Sequence, residues 1–233
     1  MTERVAVNGV ELAWHEQGKG TPGQPTLILC HGYSGSSHDF SLHTDALAQT
    51  RRVVTLDQRG HGHSTRTGDL DSYTIEQLAA DLIAFIEAVG QGPVDLLGHS
   101  MGGRVALSAV LARPDLVNSL VLMDTSAWSF RQPDEAIATM VADFINRFDP
   151  ARGVPTNFSI PGPEDVLIAA AVPAAWLAEK DEIFAGMDAY ALKALGTELL
   201  AEGVASVRPR LAEVTCPTTV LVGSRDHPLV DQA

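Results

Sequence analysis

Cationic residues are scarce in this chain: 16 Lys and Arg stand against 29 Asp and Glu, a formal net charge of −13. So acidic a protein is repelled by nucleic-acid phosphates and by anionic lipid headgroups, which excludes both as expected partners. Cysteine is almost absent, with only Cys30 and Cys216. Two thiols build no disulfide framework. Cys30 ends an apolar run and Cys216 precedes Pro217 at the start of another, so both are expected as buried, reduced side chains. A membrane-spanning stretch is lacking too. The longest apolar run, Val166 to Ala178, is too short to cross a bilayer and contains Pro173. The first ten residues, MTERVAVNGV, have no apolar segment of the secretory kind, and a cytoplasmic protein is expected. Internal repeats, low-complexity tracts and metal-ligand spacings such as H-E-x-x-H or paired C-x-x-C are missing as well, so no metal is expected.

What is present is a large apolar fraction, 45% over 233 residues, enough to bury the core of one domain. Arg4 to Val7 and Val10 to His15, parted by Asn8-Gly9, read as a hairpin with a strong turn signal. Continuous apolar strands follow at Thr26 to Cys30, Val53 to Leu56, Pro93 to Leu97, Leu120 to Met123 and Thr218 to Val222. Between them lie helical patterns. The clearest begins at Thr74, where Thr74 and Gln77 fit a capping box. Leu78, Leu82, Phe85, Ile86 and Val89 line one face of that helix, and Gly90 stops it. Apolar strands alternating with helices predict an α/β fold, a mostly parallel twisted sheet covered by helices on both faces.

The most informative segment is Gly98-His99-Ser100-Met101-Gly102, a G-x-S-x-G pentapeptide between an apolar strand and the helical run Arg104 to Ala112. A serine on so sharp a strand-to-helix turn presents its hydroxyl above the sheet. Gly98 and Gly102 lack the Cβ atoms that would collide at the bend, and Gly103 lets helix and strand approach closely. The helix N-terminus beneath the serine offers free N–H groups and partial positive charge to a developing oxyanion.

Three further segments accompany this turn in order: Leu27-Ile28-Leu29-Cys30-His31-Gly32-Tyr33, Asp57-Gln58-Arg59-Gly60-His61-Gly62-His63-Ser64 after the strand at Val53, and Gly223-Ser224-Arg225-Asp226 after the strand at Thr219. With these, the chain resembles the α/β hydrolases of the lidded esterase, lactonase and C–C-hydrolase group. The resemblance implies Ser100 as nucleophile, the backbone N–H groups of Tyr33 and Met101 as oxyanion hole, and Asp226 as the acid that orients the base, with Asp124 as the competing acid position. It also implies a core of residues 1–124 and 204–233 and a helical lid over 125–203, inserted between the sixth and seventh strands. Apolar lid residues such as Trp128, Phe130, Met140, Phe144, Phe148, Phe158, Trp176, Leu177, Phe184 and Met187 are expected mostly in the lid's own core, a few of them facing the serine. The Asp57, Arg59, His61 and His63 loop is expected to be structural.

The base is not where the family has it. In the resembled fold the histidine follows the acid on a loop after a further helix and strand, and this sequence ends at Ala233, seven residues past Asp226. The expectation is a chain shown without its C-terminal strand, helix and histidine loop. His227 adjoins the acid, His99 is expected beside the sheet, His31 is expected to fix its turn through backbone hydrogen bonds, and His15, His38 and His43 read as surface residues. Two readings from different classes follow. One is a serine hydrolase of esters, lactones or related acyl compounds, with a small apolar acyl substrate and no cofactor. The other is a non-catalytic relative that has lost its triad, and a cofactor-free haloperoxidase-like enzyme is a variant within the first class. Epoxide hydrolases and haloalkane dehalogenases of this fold carry Asp at the elbow, so Ser100 speaks against both. The apolar edge at Thr218 to Val222 is an expected site of self-association.

Overall fold

The computed structural model describes residues 2–127, 135–155, 171–201 and 207–224. Its strands are β1 (Glu3–Val7), β2 (Val10–Gln17), β3 (Leu27–Cys30), β4 (Val53–Leu56), β5 (Val94–His99), β6 (Val117–Met123) and β7 (Thr218–Leu221). The helices are α1 (Ser41–Leu47), α2 (Ile75–Val89), α3 (Met101–Ala112), α4 (Glu135–Asn146), α5 (Ala174–Ala185) and α6 (Ala189–Leu200). The seven strands form one sheet in the order β1-β2-β4-β3-β5-β6-β7. β1 and β2 are antiparallel to their neighbours, and all pairings from β4 to β7 are parallel. Thus the mostly parallel sheet expected from the apolar runs is present.

The hairpin closes through Asn8 (φ 44°) and Gly9 (φ 79°), the two left-handed positions a two-residue turn of this twist requires. In β3 the side chains alternate between two apolar layers. Ile28 and Cys30 join the larger cluster with Leu82, Phe85, Val105 and Val110 of α2 and α3. Leu27 and Leu29 join a smaller one with Val53 and Phe40, just before α1. Burial on both faces is why this strand reads as an unbroken apolar run. Phe85 is fully buried, so its truncation to alanine would cost about 3–5 kcal/mol.

α2 starts as the sequence indicates, with the Thr74 hydroxyl accepting the Gln77 N–H at 3.0 Å. The reciprocal half of the capping box is replaced: the Gln77 amide donates instead to Asp81 Oδ1 at 3.1 Å. Asp81 is buried and charge-paired with Arg59, which makes it the stronger acceptor. Cys30 is buried as expected, and burial pushes its thiol up to about 12. Cys216 is only half-buried, a correction that follows from the exposure of β7 beside it.

Between β6 and β7 the regular elements among the described residues are helices, with one isolated bridge, Asp149 to Gly153. The helices differ in depth. Ala191, Leu192 and Leu195 of α6 are fully buried, and Ala191, Leu195 and Leu199 belong to the main core cluster. None of the residues of α5 is buried. Phe148, Met187 and Leu192 form a satellite cluster with Phe144, Ile183 and Phe184 against it. Among the described residues no helix is long and apolar enough to cross a membrane.

Candidate active site

Ser100 lies between the end of β5 and the start of α3 with φ 50° and ψ −119°, a conformation that costs a non-glycine residue about 1–3 kcal/mol. Its surroundings over-determine that geometry. The Ser100 N–H donates to the Met123 carbonyl at 2.9 Å, and its carbonyl accepts the Thr125 hydroxyl at 2.6 Å and the Gly103 N–H at 2.9 Å. The glycines are needed for contact. A Cβ on Gly98 would lie 2.6 Å from the Gly103 Cα, one on Gly102 would run into the Cys30 and His31 carbonyls, and one on Gly103 would lie 2.6 Å from the Thr125 side chain. Sequence spacing and close packing agree here.

The turn after β3 touches this elbow directly. A Cβ on Gly32 would sit 3.1 Å from the Ser100 Cβ and 3.0 Å from His99 Nδ1. The next residue, Tyr33, is thereby held beside the serine. Met101, fully buried, is the first residue of α3, so its N–H has no helical carbonyl one turn before it.

The loop after β4 is structural, as expected. Asp57 is fully buried and accepts the backbone N–H groups of Ser37 at 2.7 Å and His63 at 2.8 Å. Burial opposes its charge, but His63 and these N–H donors outweigh it and hold the carboxyl well below the usual range. A Cβ on Gly62 would overlap the same carboxylate. Arg59 and Asp81 form a buried, two-point ion pair. His61 is buried with Nδ1 3.1 Å from the Arg59 carbonyl.

The remaining histidines sort by contact. His31 is fully buried and bound to backbone on both ring nitrogens. His99 is partly buried and borders the Gly32 turn, and burial holds its pKa down. His38 corrects the surface reading. Its side chain is 9% exposed, stacks on Trp176 at 4.8 Å and meets the Trp176 carbonyl at 3.1 Å. Nothing in the sequence near His38 signals this, because its partner lies on α5. His43 is exposed.

Of the acids, Asp226 lies outside the described residues, as does His227. Asp124 follows β6 at φ 45°, next to the carbonyl of Met123 that binds Ser100, and its Oδ1 accepts the Gly223 N–H at 2.8 Å.

A cavity of about 180 Å³ opens on Ser100. Its walls are Tyr33 of the turn, Val141, Phe144 and Ile145 of α4, and Gly196, Leu199 and Leu200 of α6. Phe144 is therefore one of the apolar residues that face the serine. Phe148, Phe184 and Met187 pack among themselves, and Trp176 packs on His38. Trp128, Phe130 and Phe158 lie outside the described residues, and so does the Met140 side chain. In the sequence nothing marks Leu199 and Leu200 as wall residues, and Gly196 shows only as a glycine within a helical pattern.

Residues 25–162 match the α/β hydrolase fold family. The chain belongs to that family. Among relatives of this α/β hydrolase, the putative carbamate hydrolase RutD of Stutzerimonas stutzeri is 30% identical over 220 residues, covering 91% of this chain and 78% of that protein. The sn-1-specific diacylglycerol lipase ABHD11 of Mus musculus is 40% identical over 104 residues, which cover 44% of this chain and 33% of the lipase. In fold, the α/β hydrolase is similar to the enol-lactonase of Burkholderia xenovorans LB400, with a TM-score of 0.68 at 22% identity over 95% of this chain and 81% of that one.

Proposed function

We propose that this hydrolase cleaves a carboxylic ester, lactone or related acyl bond through an acyl-enzyme on Ser100. The observation that carries the reading is the Ser100 backbone, strained at φ 50° and held at the N-terminus of α3 beside an apolar cavity. Ser100 Oγ attacks the substrate carbonyl while an imidazole base takes its proton, and that base returns the proton to the leaving group. The N–H groups of Met101 and Tyr33 stabilise the tetrahedral oxyanion, and Asp226 orients the base. Water, activated by the same base, then releases the acid. The names of the carbamate hydrolase and lipase relatives both describe attack on a carbonyl, which supports the choice of substrate class.

The acyl group is small and apolar. The cavity's 180 Å³ is comparable to the ~150 Å³ apolar cavity that accepts benzene. Residues 125–203 act as the lid over this cleft, and the enzyme works in the cytoplasm without a cofactor. A fluorophosphonate probe tests the reading on the native protein. Labelling at Ser100, with ester turnover lost in Ser100→Ala, is the expected result. Labelling at another residue, or full turnover in the alanine variant, overturns it.

A further inference from the structure

We infer that the Tyr33 side chain is a positioning residue: its hydroxyl ties the oxyanion turn to helix α6, and α6 thereby sets where the Tyr33 N–H stands over Ser100. The inference rests on the serine-hydrolase reading of the site.

Tyr33 Oη donates to the Leu192 carbonyl at 2.6 Å, across 159 residues of sequence. The Leu192 carbonyl lies inside α6 and is committed to the helix's own ladder by its position. The tyrosine bond therefore adds nothing the helix needs. Phenylalanine would fill the same space, edge-on to Phe144 and Phe148 with ring centres 6.5 and 6.3 Å away. The hydroxyl is the part that packing does not explain. Burial keeps it protonated and hence a donor, by raising its pKa far above the usual value.

Gly196 makes the contact possible. It stands one turn beyond Leu192, and a Cβ there would lie 2.7 Å from Tyr33 Oη, 3.1 Å from its Cζ and 2.9 Å from Ile145 Cγ1. A glycine inside a helix costs about 1 kcal/mol relative to alanine. At this position it leaves the opening through which the phenol reaches the carbonyl.

Both ends of the tie are fixed. At the turn, Gly32 abuts the Ser100 Cβ, and the Gly35 N–H closes on the Gly32 carbonyl at 3.1 Å. At the helix, Asp188 immediately before α6 accepts the Tyr73 hydroxyl at 2.6 Å and the Gly68 N–H at 2.9 Å, and its own N–H donates to the Gly60 carbonyl at 2.9 Å. The oxyanion turn is thus braced against the core through α6.

The test compares Tyr33→Phe and Gly196→Ala with the unaltered protein, after thermal melts establish that each variant folds. Loss of a whole oxyanion donor costs about 10²–10³ in kcat, so a displaced one should lower kcat about tenfold. In Tyr33→Phe, KM should stay within about twofold, because the apolar wall is kept and only transition-state binding is lost. Combining both substitutions should cost no more than either one. Amide exchange at residues 31–36 should be faster in Tyr33→Phe, a readout independent of turnover. A wild-type kcat in Tyr33→Phe, or unchanged exchange in that turn, overturns the inference. If the unaltered protein neither labels at Ser100 nor hydrolyses esters, the reading of the site fails, and the exchange measurement alone decides the tie.

Discussion

Gln58 donates its backbone N–H to Nε2 of His31 at 3.0 Å, joining the loop after β4 to the turn that carries Tyr33. The other ring nitrogen, Nδ1, lies 2.8 Å from the Gly32 carbonyl, and the Gln58 amide returns a bond to the His31 carbonyl at 2.8 Å. Nδ1 is therefore the protonated nitrogen. Burial lowers the His31 pKa, which keeps the ring neutral. With both nitrogens committed to backbone, His31 is a tie between two loops.

His31→Ala should accordingly destabilise the fold. It leaves the buried Gln58 N–H without its acceptor, a penalty of about 1–3 kcal/mol before any cavity term. Urea unfolding of the two proteins measures it. A difference within the ±0.5 kcal/mol typical of surface substitutions would remove the tie from the account.

The two acids should respond differently to amidation. Asp124 Oδ1 accepts the Gly223 N–H, and an asparagine oxygen in the same place still can, so Asp124→Asn should change turnover little. Asp226→Asn should lower kcat by up to about four orders of magnitude, as expected when the group that sets the tautomer of the base is lost. Steady-state ester hydrolysis ranks them. The reverse order would move the orienting acid to the end of β6.

Acid sensitivity should pass through His61. Burial, with His31 beside it, pulls its pKa from 6.5 down to about 3. Between those values the unfolded chain binds this proton and the folded protein does not, so stability falls as pH drops through that window. The contribution is at most about 1.4 kcal/mol per pH unit. His61→Gln cannot take up the proton, and its unfolding free energy should decline less steeply from pH 6.5 toward 3. Denaturant unfolding at several pH values within the window checks this, and identical slopes would assign the acid sensitivity to other groups.

Among the described residues β7 is the outer strand of the sheet, with Val220 50% and Leu221 47% exposed. Self-association along this strand that also packs on its Val220 face would cover that side chain. Burying a valine is worth about 1.5–3 kcal/mol, so Val220→Lys should weaken self-association about tenfold or more. Sedimentation velocity over a concentration series reads the change. A monomer at all concentrations, or an assembly indifferent to the lysine, refutes it.

The parts of the fold that were legible in the sequence are those decided by near neighbours. Gly98, Gly102 and Gly103 announce the elbow by their local spacing around Ser100, although the atoms that forbid a Cβ at Gly102 and Gly103 belong to Cys30, His31 and Thr125. The α2 face is legible because its period is local. What sequence missed is decided at a distance. His38 is covered by Trp176, far along the chain. Gln77 turns to Asp81 because Arg59, from another loop, has made that carboxylate a buried anion. Gly196 reads as a defect in a helix until Tyr33 is seen against it.

The two helices before β7 have different mechanical standing. α6 is anchored through Asp188 and sunk into the core, whereas α5 buries none of its residues. α5 is held by side-chain contacts: Trp176 on His38 and on the Ser41 hydroxyl at 2.8 Å, Lys180 on Asp39 at 3.1 Å, and Ile183 and Phe184 against the Phe148 cluster. That difference makes the outer part of α5, from Ala174 to Glu182, the segment most open to replacement. A foreign segment that preserves those anchoring side chains could be spliced in there without reopening the sheet, so that the hollow between α5 and the Gly32–Gly35 turn is redesigned independently of the machinery beneath.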